Sequence, residues 1–157
     1  SLAAGPVDGD AQDDLVVGIC SSTQVFLAQS GGSEWFAAQP AMVFEESGKM
    51  RGKIVALTDV NQDGKNELAV ADPEEPVDAK RNGVVLFYEL DGTRKDPLLQ
   101  LPSPPDEKRF GSSLFSLKTS WMDGRSELVV GGANASYLFF LTGLSGDDDP
   151  QLHDPRP

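Results

Sequence analysis

The most informative segment of this chain is Asp59-Val60-Asn61-Gln62-Asp63-Gly64-Lys65-Asn66-Glu67, called loop two below, which runs directly into the apolar residues 68–71. Oxygen-bearing side chains stand at positions 1, 3, 5 and 9 of this loop, and Gly64 stands at position 6, where the backbone turns sharply. Ca²⁺ takes about six to eight oxygen ligands. Such a set can be formed by the side chains of Asp59, Asn61, Asp63 and Glu67, the backbone carbonyl of Lys65, and water. Loop two therefore predicts a Ca²⁺ site.

Two other interpretations of loop two have to be weighed. An EF-hand also begins Asp-x-Asn-x-Asp-Gly, but it requires a bidentate Glu at position 12 and a helix on each side. Position 12 is Val70 here, and short apolar runs flank the loop, so an EF-hand is not expected. A plain polar turn is the alternative, since Asp, Asn and Gly all favour tight backbone geometry. Closely spaced carboxylates repel one another without a counter-ion, which favours the metal site.

Composition excludes several classes of function. The 157 residues include 25 acidic and 13 basic side chains, giving a formal net charge of −12. This charge argues against nucleic-acid binding, because phosphate contacts need clustered Lys and Arg. No segment reaches the roughly 18 consecutive apolar residues that a membrane span needs. The single Cys20 cannot form an internal disulfide, and because the chain begins at Ser1 we expect a processed product or a fragment.

The acidic loop recurs along the sequence. Residues 6–14 form loop one and residues 119–127 form loop three, and each leads into an apolar run, a turn and a second apolar run. The acids that end the three loops, Asp14, Glu67 and Glu127, are 53 and 60 residues apart. A period of about 50–60 residues with several short strands per unit indicates a propeller or a similar array.

The apolar runs are typical of buried strands. They are short, rich in Val, Leu and Phe, and mostly continuous, as expected when both faces of a sheet are covered. We predict strands near 14–19, 23–28 and 41–45, then near 53–58, 67–71, 83–90 and 98–101, and then near 112–117, 127–132 and 136–142. The fold class predicted is all-β, with antiparallel β-propeller blades. The chain would supply about two and a half to three blades of a larger ring.

The same pattern gives the expected organisation of the chain. A partial propeller is predicted over residues 1–142, divided into units of about 1–49, 50–105 and 106–142. Residues 143–157 are acidic and rich in Pro, and we expect them to be a disordered tail. Trp35-Phe36 and Trp121 could be exposed binding aromatics, but we expect both to pack between blades.

These units resemble FG-GAP repeats, the blades of the integrin α N-terminal propeller and related proteins. Unit three has the Phe110-Gly111 pair, whereas unit two keeps only Gly52. The Gly-Ala-Pro element corresponds to residues 71–73 in unit two and to residues 131–133 in unit three. The resemblance covers about residues 6 to 142. In this family an Asp-x-Asx-x-Asp-Gly-x-x-Asp loop binds Ca²⁺, which the resemblance maps onto Asp59, Asn61, Asp63 and Glu67.

The resemblance also implies which other loops bind metal. Loop one offers three carboxylates as a second set of Ca²⁺ ligands: Asp8, Asp10 and Asp14. It departs from the family pattern, because Pro6 falls at position 1 and Ala11 at position 6. Loop three keeps only Asp123 and Glu127 of the acidic set, and we expect no metal there.

The function implied by the resemblance is that of an extracellular binding module. Calcium would be structural, and the assembled propeller would bind a protein partner. The remaining blades would come from the same parent polypeptide, a companion fragment or self-association. Asn134-Ala135-Ser136 matches a glycosylation acceptor.

An alternative is the accessory C-terminal propeller of a secreted glycosylphosphatidylinositol-specific phospholipase D. Residues 109–114 and the degenerate last loop are similar to the final blades of that family. The zinc-dependent catalytic part of such an enzyme needs several His ligands, whereas this chain contains only His153. Catalysis within the chain itself is not expected, because Ser112-Ser113 lacks a Gly-x-Ser-x-Gly elbow.

Overall fold

The computed structural model describes residues 1–19, 22–31, 34–45, 54–61, 63–92, 96–118, 126–140 and 152–153. Within these residues the chain folds into three four-stranded antiparallel sheets and contains no helix. The prediction of all-β propeller blades is therefore confirmed.

Each sheet is one blade, and consecutive strands pair so that the order in the sheet follows the order in the chain. Blade one consists of β1 (Leu2–Gly5), β2 (Asp14–Ile19), β3 (Ser22–Phe26) and β4 (Met42–Glu45). Blade two consists of β5 (Ile54–Thr58), β6 (Glu67–Pro76), β7 (Asn82–Tyr88) and β8 (Leu99–Pro102). Blade three consists of β9 (Ser113–Lys118), β10 (Ser126–Gly131), β11 (Ser136–Phe140) and β12 (Leu152–His153).

Two strands were not predicted from the sequence. β1 has the sequence Leu-Ala-Ala-Gly, whose Ala and Gly have weak β propensity, and it is held by antiparallel pairing with β2. β12 pairs with β11 although it falls in the segment expected to be a disordered tail. Residues 143–151 and 154–157 of that segment lie outside the described residues. Because β1 precedes loop one and β2 follows it, loop one joins two strands of a complete blade, as loop two does.

Blade two lies between the other two blades. β5 contacts β1 on one side and β9 on the other, so the first strands of the three blades lie side by side, as around a propeller axis. One face of blade two packs on blade one through a cluster that includes Val16, Val25, Val55, Leu57, Leu68, Val70, Val84 and Leu86. The other face packs on blade three through a cluster that includes Ala56, Ala69, Val85, Phe87, Phe110, Leu128, Val130 and Phe139. Successive residues of a strand point to opposite faces, which explains the continuous apolar runs.

The outer faces of blades one and three are more open. In the part of the chain that the structure describes, Leu2 is 68% exposed on blade one and Phe115 is 61% exposed on blade three. Ile19 and Val43 are also exposed on blade one. Pairing of Leu2 with Val17, the neighbour of buried Val16, places Leu2 on the face that points away from blade two.

The Phe-Gly pair locks blade three against blade two. Phe110 is fully buried and makes edge-on ring contacts with Tyr137 and Phe139, with centroids 5.6 and 5.9 Å apart. Gly111 adopts φ 89°, and a Cβ there would lie 2.7 Å from the Cβ of Ala71. The glycine is therefore required by both its backbone conformation and its close approach to blade two.

Candidate metal centres

Loop two connects β5 to β6, and its last acid, Glu67, is hydrogen-bonded to the start of the loop. The Val60 N–H donates to Oε2 of Glu67 at 2.7 Å, and Glu67 is only 3% exposed. This bond ties the second position of the loop to the ninth. The Glu67 carboxylate is therefore held at the base of the loop by the start of β6.

Side-chain acceptors shape the rest of loop two. The N–H of Asp63 donates to Asn61 Oδ1 at 2.9 Å, and the N–H of Lys65 donates to Asp63 Oδ1 at 2.8 Å. The N–H of Gly64, whose φ is 89°, donates to Asp59 Oδ2 at 3.1 Å. A polar turn would make bonds of this kind too, so they do not by themselves distinguish a turn from a metal loop.

One oxygen of loop two has no such explanation. Oδ1 of Asp59 is buried and has no hydrogen-bond partner among the described residues. A buried carboxylate oxygen without a donor is costly, by about 1–3 kcal/mol or more. A cation at this oxygen would remove that cost, and carboxylate, amide and carbonyl oxygens form the donor set that Ca²⁺ prefers. The residues of loop two therefore fit the ion.

The pKa of Glu67 is raised to about 7, chiefly because the carboxyl group is buried. The negative charges of Asp63 and Asp59 add to the rise, and backbone hydrogen bonds from Val60 and Asn61 offset it in part. A divalent cation reverses this balance, because it favours the ionised carboxylate. Metal affinity and proton binding are therefore expected to compete in loop two.

Loop one repeats the hydrogen bonds of loop two. The Val7 N–H donates to Asp14 Oδ2 at 2.9 Å, in the same relation as Val60 and Glu67. The N–H of Asp10 donates to Asp8 Oδ1 at 3.0 Å, and the N–H of Gln12 donates to Asp10 Oδ1 at 2.7 Å. Asp8, Asp10 and Asp14 thus occupy the places of Asn61, Asp63 and Glu67.

The acids of loop one are also brought close together. Asp8, Asp10 and Asp14 each offer a carboxylate oxygen, and these oxygens all lie within 4.8 Å of one another, with Asp14 buried and the other two exposed. This cluster could hold a metal ion. Within the described residues, Asp59, Asp63 and Glu67 of loop two do not form an equally compact set.

A contact that the sequence did not indicate joins the two loops. Nδ2 of Asn66 donates to the carbonyl oxygen of Pro6 at 2.9 Å, across the boundary between blades two and one. A cavity of about 400 Å³ lies between the loops, lined on its two sides by residues that include Asp8 and Asp63. Asn66 stands at a loop position with no ligand role, so only the packing of the blades reveals this bond.

Comparison with known proteins shows which proteins the chain is similar to. No family model matches the chain. The chain is 26% identical to human (Homo sapiens) integrin αIIb over 154 residues, which cover 88% of the chain and 15% of that protein. It is 26% identical to integrin α5 of Xenopus laevis over 163 residues, covering 95% of the chain and 15% of that protein. The chain is similar to integrin α subunits.

The mouse (Mus musculus) integrin αIIb gives the same result, with 26% identity over 152 residues, 87% of the chain and 15% of that protein. The resemblance of the sequence to an integrin-type FG-GAP propeller is therefore confirmed. This integrin-like chain spans about 15% of the length of the relatives it matches.

The third loop of the integrin-like chain is only partly described. Residues 119–125, on which the expectation of an empty third loop depends, lie outside the described residues, and that expectation stays a prediction. Glu127 is buried near the start of β10, as Asp14 and Glu67 are at the starts of β2 and β6. Among the described residues no helix has the length and hydrophobicity required to cross a bilayer.

A buried carboxylate in the integrin-like chain has a structural role. Glu107 follows β8 and accepts hydrogen bonds from the Tyr137 hydroxyl at 2.7 Å and from the N–H groups of Asn134 and Lys108 at 3.0 and 2.9 Å. Burial alone would raise the pKa of Glu107, but these bonds outweigh it and hold the pKa below its usual value. An ionised Glu107 therefore fastens the connection between blades two and three to the β10–β11 turn.

Proposed function

We propose that this chain is a calcium-binding segment of a larger integrin-like propeller, which binds protein partners outside the cell and is not itself catalytic. The observation that supports it best is the repetition of one hydrogen-bonded acidic loop in two neighbouring blades. The two loops lie at the same end of their blades and are joined by the bond from Asn66 to Pro6.

The ligands differ between the two proposed sites. In loop two the ion would be held by the side-chain oxygens of Asp59, Asn61, Asp63 and Glu67 and by the backbone carbonyl of Lys65. In loop one it would be held by Asp8, Asp10 and Asp14. When bound, Ca²⁺ supplies positive charge that offsets the repulsion of the clustered carboxylates. The chain's own residues position those oxygens and connect the ions to the cores between blades.

Association with other blades follows from the open outer faces. Apolar strand faces such as those of Leu2 and Phe115 tend to be covered in a closed ring, which typically has 4–8 blades. We propose that the missing blades come from the parent polypeptide, a companion fragment or copies of the chain. Similarity to three integrin α subunits supports an adhesion role over that of a phospholipase accessory propeller.

Glycosylation at Asn134 is a finer part of the same proposal. Asn134 and Ser136 are both exposed at the turn between β10 and β11, so the acceptor triplet is accessible. A chain secreted from animal cells is expected to lose mass on treatment with an N-glycosidase, and Asn134→Gln would abolish that change.

Thermal unfolding in calcium and in EDTA tests the metal proposal. A ligand at about 100 times its dissociation constant stabilises a protein by about 2.7 kcal/mol, which for a domain of this size raises the melting temperature by roughly 5–10 °C. Asp59→Asn should reduce this gain. The control Asp96→Asn removes the same charge from an exposed site outside both loops and should leave the gain intact. An identical melting temperature in calcium and EDTA would contradict the proposal.

A further inference from the structure

Trp35 is the most exposed large apolar residue among those the structure describes. It is 84% exposed, contrary to the expectation that it packs between blades. It lies in the connection between β3 and β4, at the same end of blade one as loop one. Burial of so large a ring would stabilise the fold, and the structure leaves this indole in water.

The backbone around Trp35 is well held. The Trp35 carbonyl accepts the N–H of Gln29 at 3.0 Å, and Ala28 and Phe36 form an antiparallel bridge. The N–H of Ala28 also donates to Asp14 Oδ1 at 2.8 Å. Trp35 is therefore presented on a short hydrogen-bonded extension of the β3–β4 ladder, attached directly to loop one.

A cavity of about 550 Å³ lies beside Trp35. Its described lining contains two exposed carboxylates, Asp13 and Glu34, together with neutral polar groups and the ring of Phe36, and contains no Lys or Arg. The accessible lining of this cavity is mainly apolar, and the charged groups among its described residues are the two carboxylates. The cavity therefore presents an apolar wall and negative charge beside an exposed indole, whereas the clusters between blades consist of apolar side chains.

We infer that Trp35, Asp13 and Glu34 form a binding site for a basic segment of a partner protein, in which an Arg or Lys side chain stacks on the indole and pairs with the two carboxylates. This rests on the proposed binding function and specifies the partner's chemistry. A cation over the face of a Trp ring is attracted by the negative charge of that face, and Trp is enriched among the residues that dominate interface energies. The net charge of −12 favours the approach of a basic partner.

The test measures binding of a capped peptide of alternating Gly and Arg to the 157-residue chain by titration calorimetry. A peptide in which citrulline replaces Arg keeps the shape without the charge. We expect saturable binding of the Arg peptide alone, weakened about tenfold by Trp35→Ala and severalfold by the pair Asp13→Asn and Glu34→Gln. Two control variants should bind as the unmodified chain does. Phe115→Ala removes another exposed aromatic ring, and Asp96→Asn removes another exposed acid.

A second measurement does not depend on variants at the site. In a Trp121→Phe background Trp35 is the remaining tryptophan, since the chain has two. The Arg peptide should protect its fluorescence from acrylamide quenching. Absence of binding, no protection, or equal binding by Trp35→Ala and the unmodified chain would overturn the inference. Failure of the calcium proposal would instead appear as equal melting temperatures in calcium and EDTA, with peptide binding intact.

Discussion

At the scale of the residue, the contact between blades two and three depends on single glycines. Gly83 has φ 110°, and a Cβ there would overlap the backbone of Phe110, whose N–H donates to the Asn82 carbonyl at 3.1 Å. The fully buried Phe110 depends on this close approach. The Phe-Gly pair of one blade thus requires a glycine in the blade before it.

Gly83→Ala should therefore destabilise the chain strongly. A Cβ in this position forces the backbone of Phe110 to move, and we expect a loss of about 3 kcal/mol or more in denaturant unfolding. Gly92→Ala is the matched control, because φ is 74° there and no atom of the described residues lies within 4 Å of the added Cβ. That change should cost only about 1 kcal/mol. Equal losses would show that the approach to Phe110 does not matter.

The raised pKa of Glu67 predicts how the free energy of unfolding depends on pH. A folded pKa of about 7 against a usual value of 4.5 means that the folded, metal-free chain binds the proton more tightly than the unfolded chain does. The stability from Glu67 is then fully present below about pH 4.5 and is lost as pH rises towards 7, by up to about 3 kcal/mol. Unfolding in EDTA at several pH values measures this trend. Glu67→Gln should flatten it, and a trend unchanged by the substitution would contradict the assignment.

At the scale of the element, Glu107 connects the end of blade two to the β10–β11 hairpin. Tyr137→Phe removes one of its donors and should cost about 1.5–3 kcal/mol at neutral pH, the usual worth of a hydrogen bond to a charged group. Because the folded pKa of Glu107 is depressed, its stabilisation is present above the usual value of 4.5 and is lost as pH falls through the folded pKa. The cost of Tyr137→Phe, measured by urea unfolding, should shrink with that loss. A cost that is the same at acid and neutral pH would argue against an ionised Glu107.

The elements also show what the sequence could and could not reveal. The apolar runs of β6 and β7 and the acidic spacing of loop two are local patterns, and they were sufficient to predict blades and the FG-GAP resemblance. β1 is four residues of weak propensity, and β12 is two residues in an acidic tail, so both strands depend on pairing with distant residues. Asn66 and Glu107 likewise find their partners in a neighbouring blade, which no local pattern indicates. Packing of Trp35 between blades was favoured over exposure because Trp is highly buried on average, and that prediction was wrong.

At the scale of the whole molecule, the outer sheet faces of blades one and three expose apolar side chains that no other described blade covers. We expect the isolated chain to associate through the faces that contain Leu2 and Phe115, since open apolar strands favour pairing. Size-exclusion chromatography with light scattering should show species larger than 16.8 kDa. The pair Leu2→Lys and Phe115→Lys should shift the distribution towards monomer. A monodisperse monomer of the unmodified chain would weaken the proposal of a larger ring.

The central claim is that divalent ions occupy the acidic loops of an integrin-like propeller, and crystals grown in millimolar calcium test it most directly. An anomalous difference map should show a peak within reach of Asp59 Oδ1 in loop two and another among Asp8, Asp10 and Asp14 in loop one. Crystals of Asp59→Asn should lose or weaken the first peak and keep the second. A map with no peak in either loop of the unmodified chain would contradict the account.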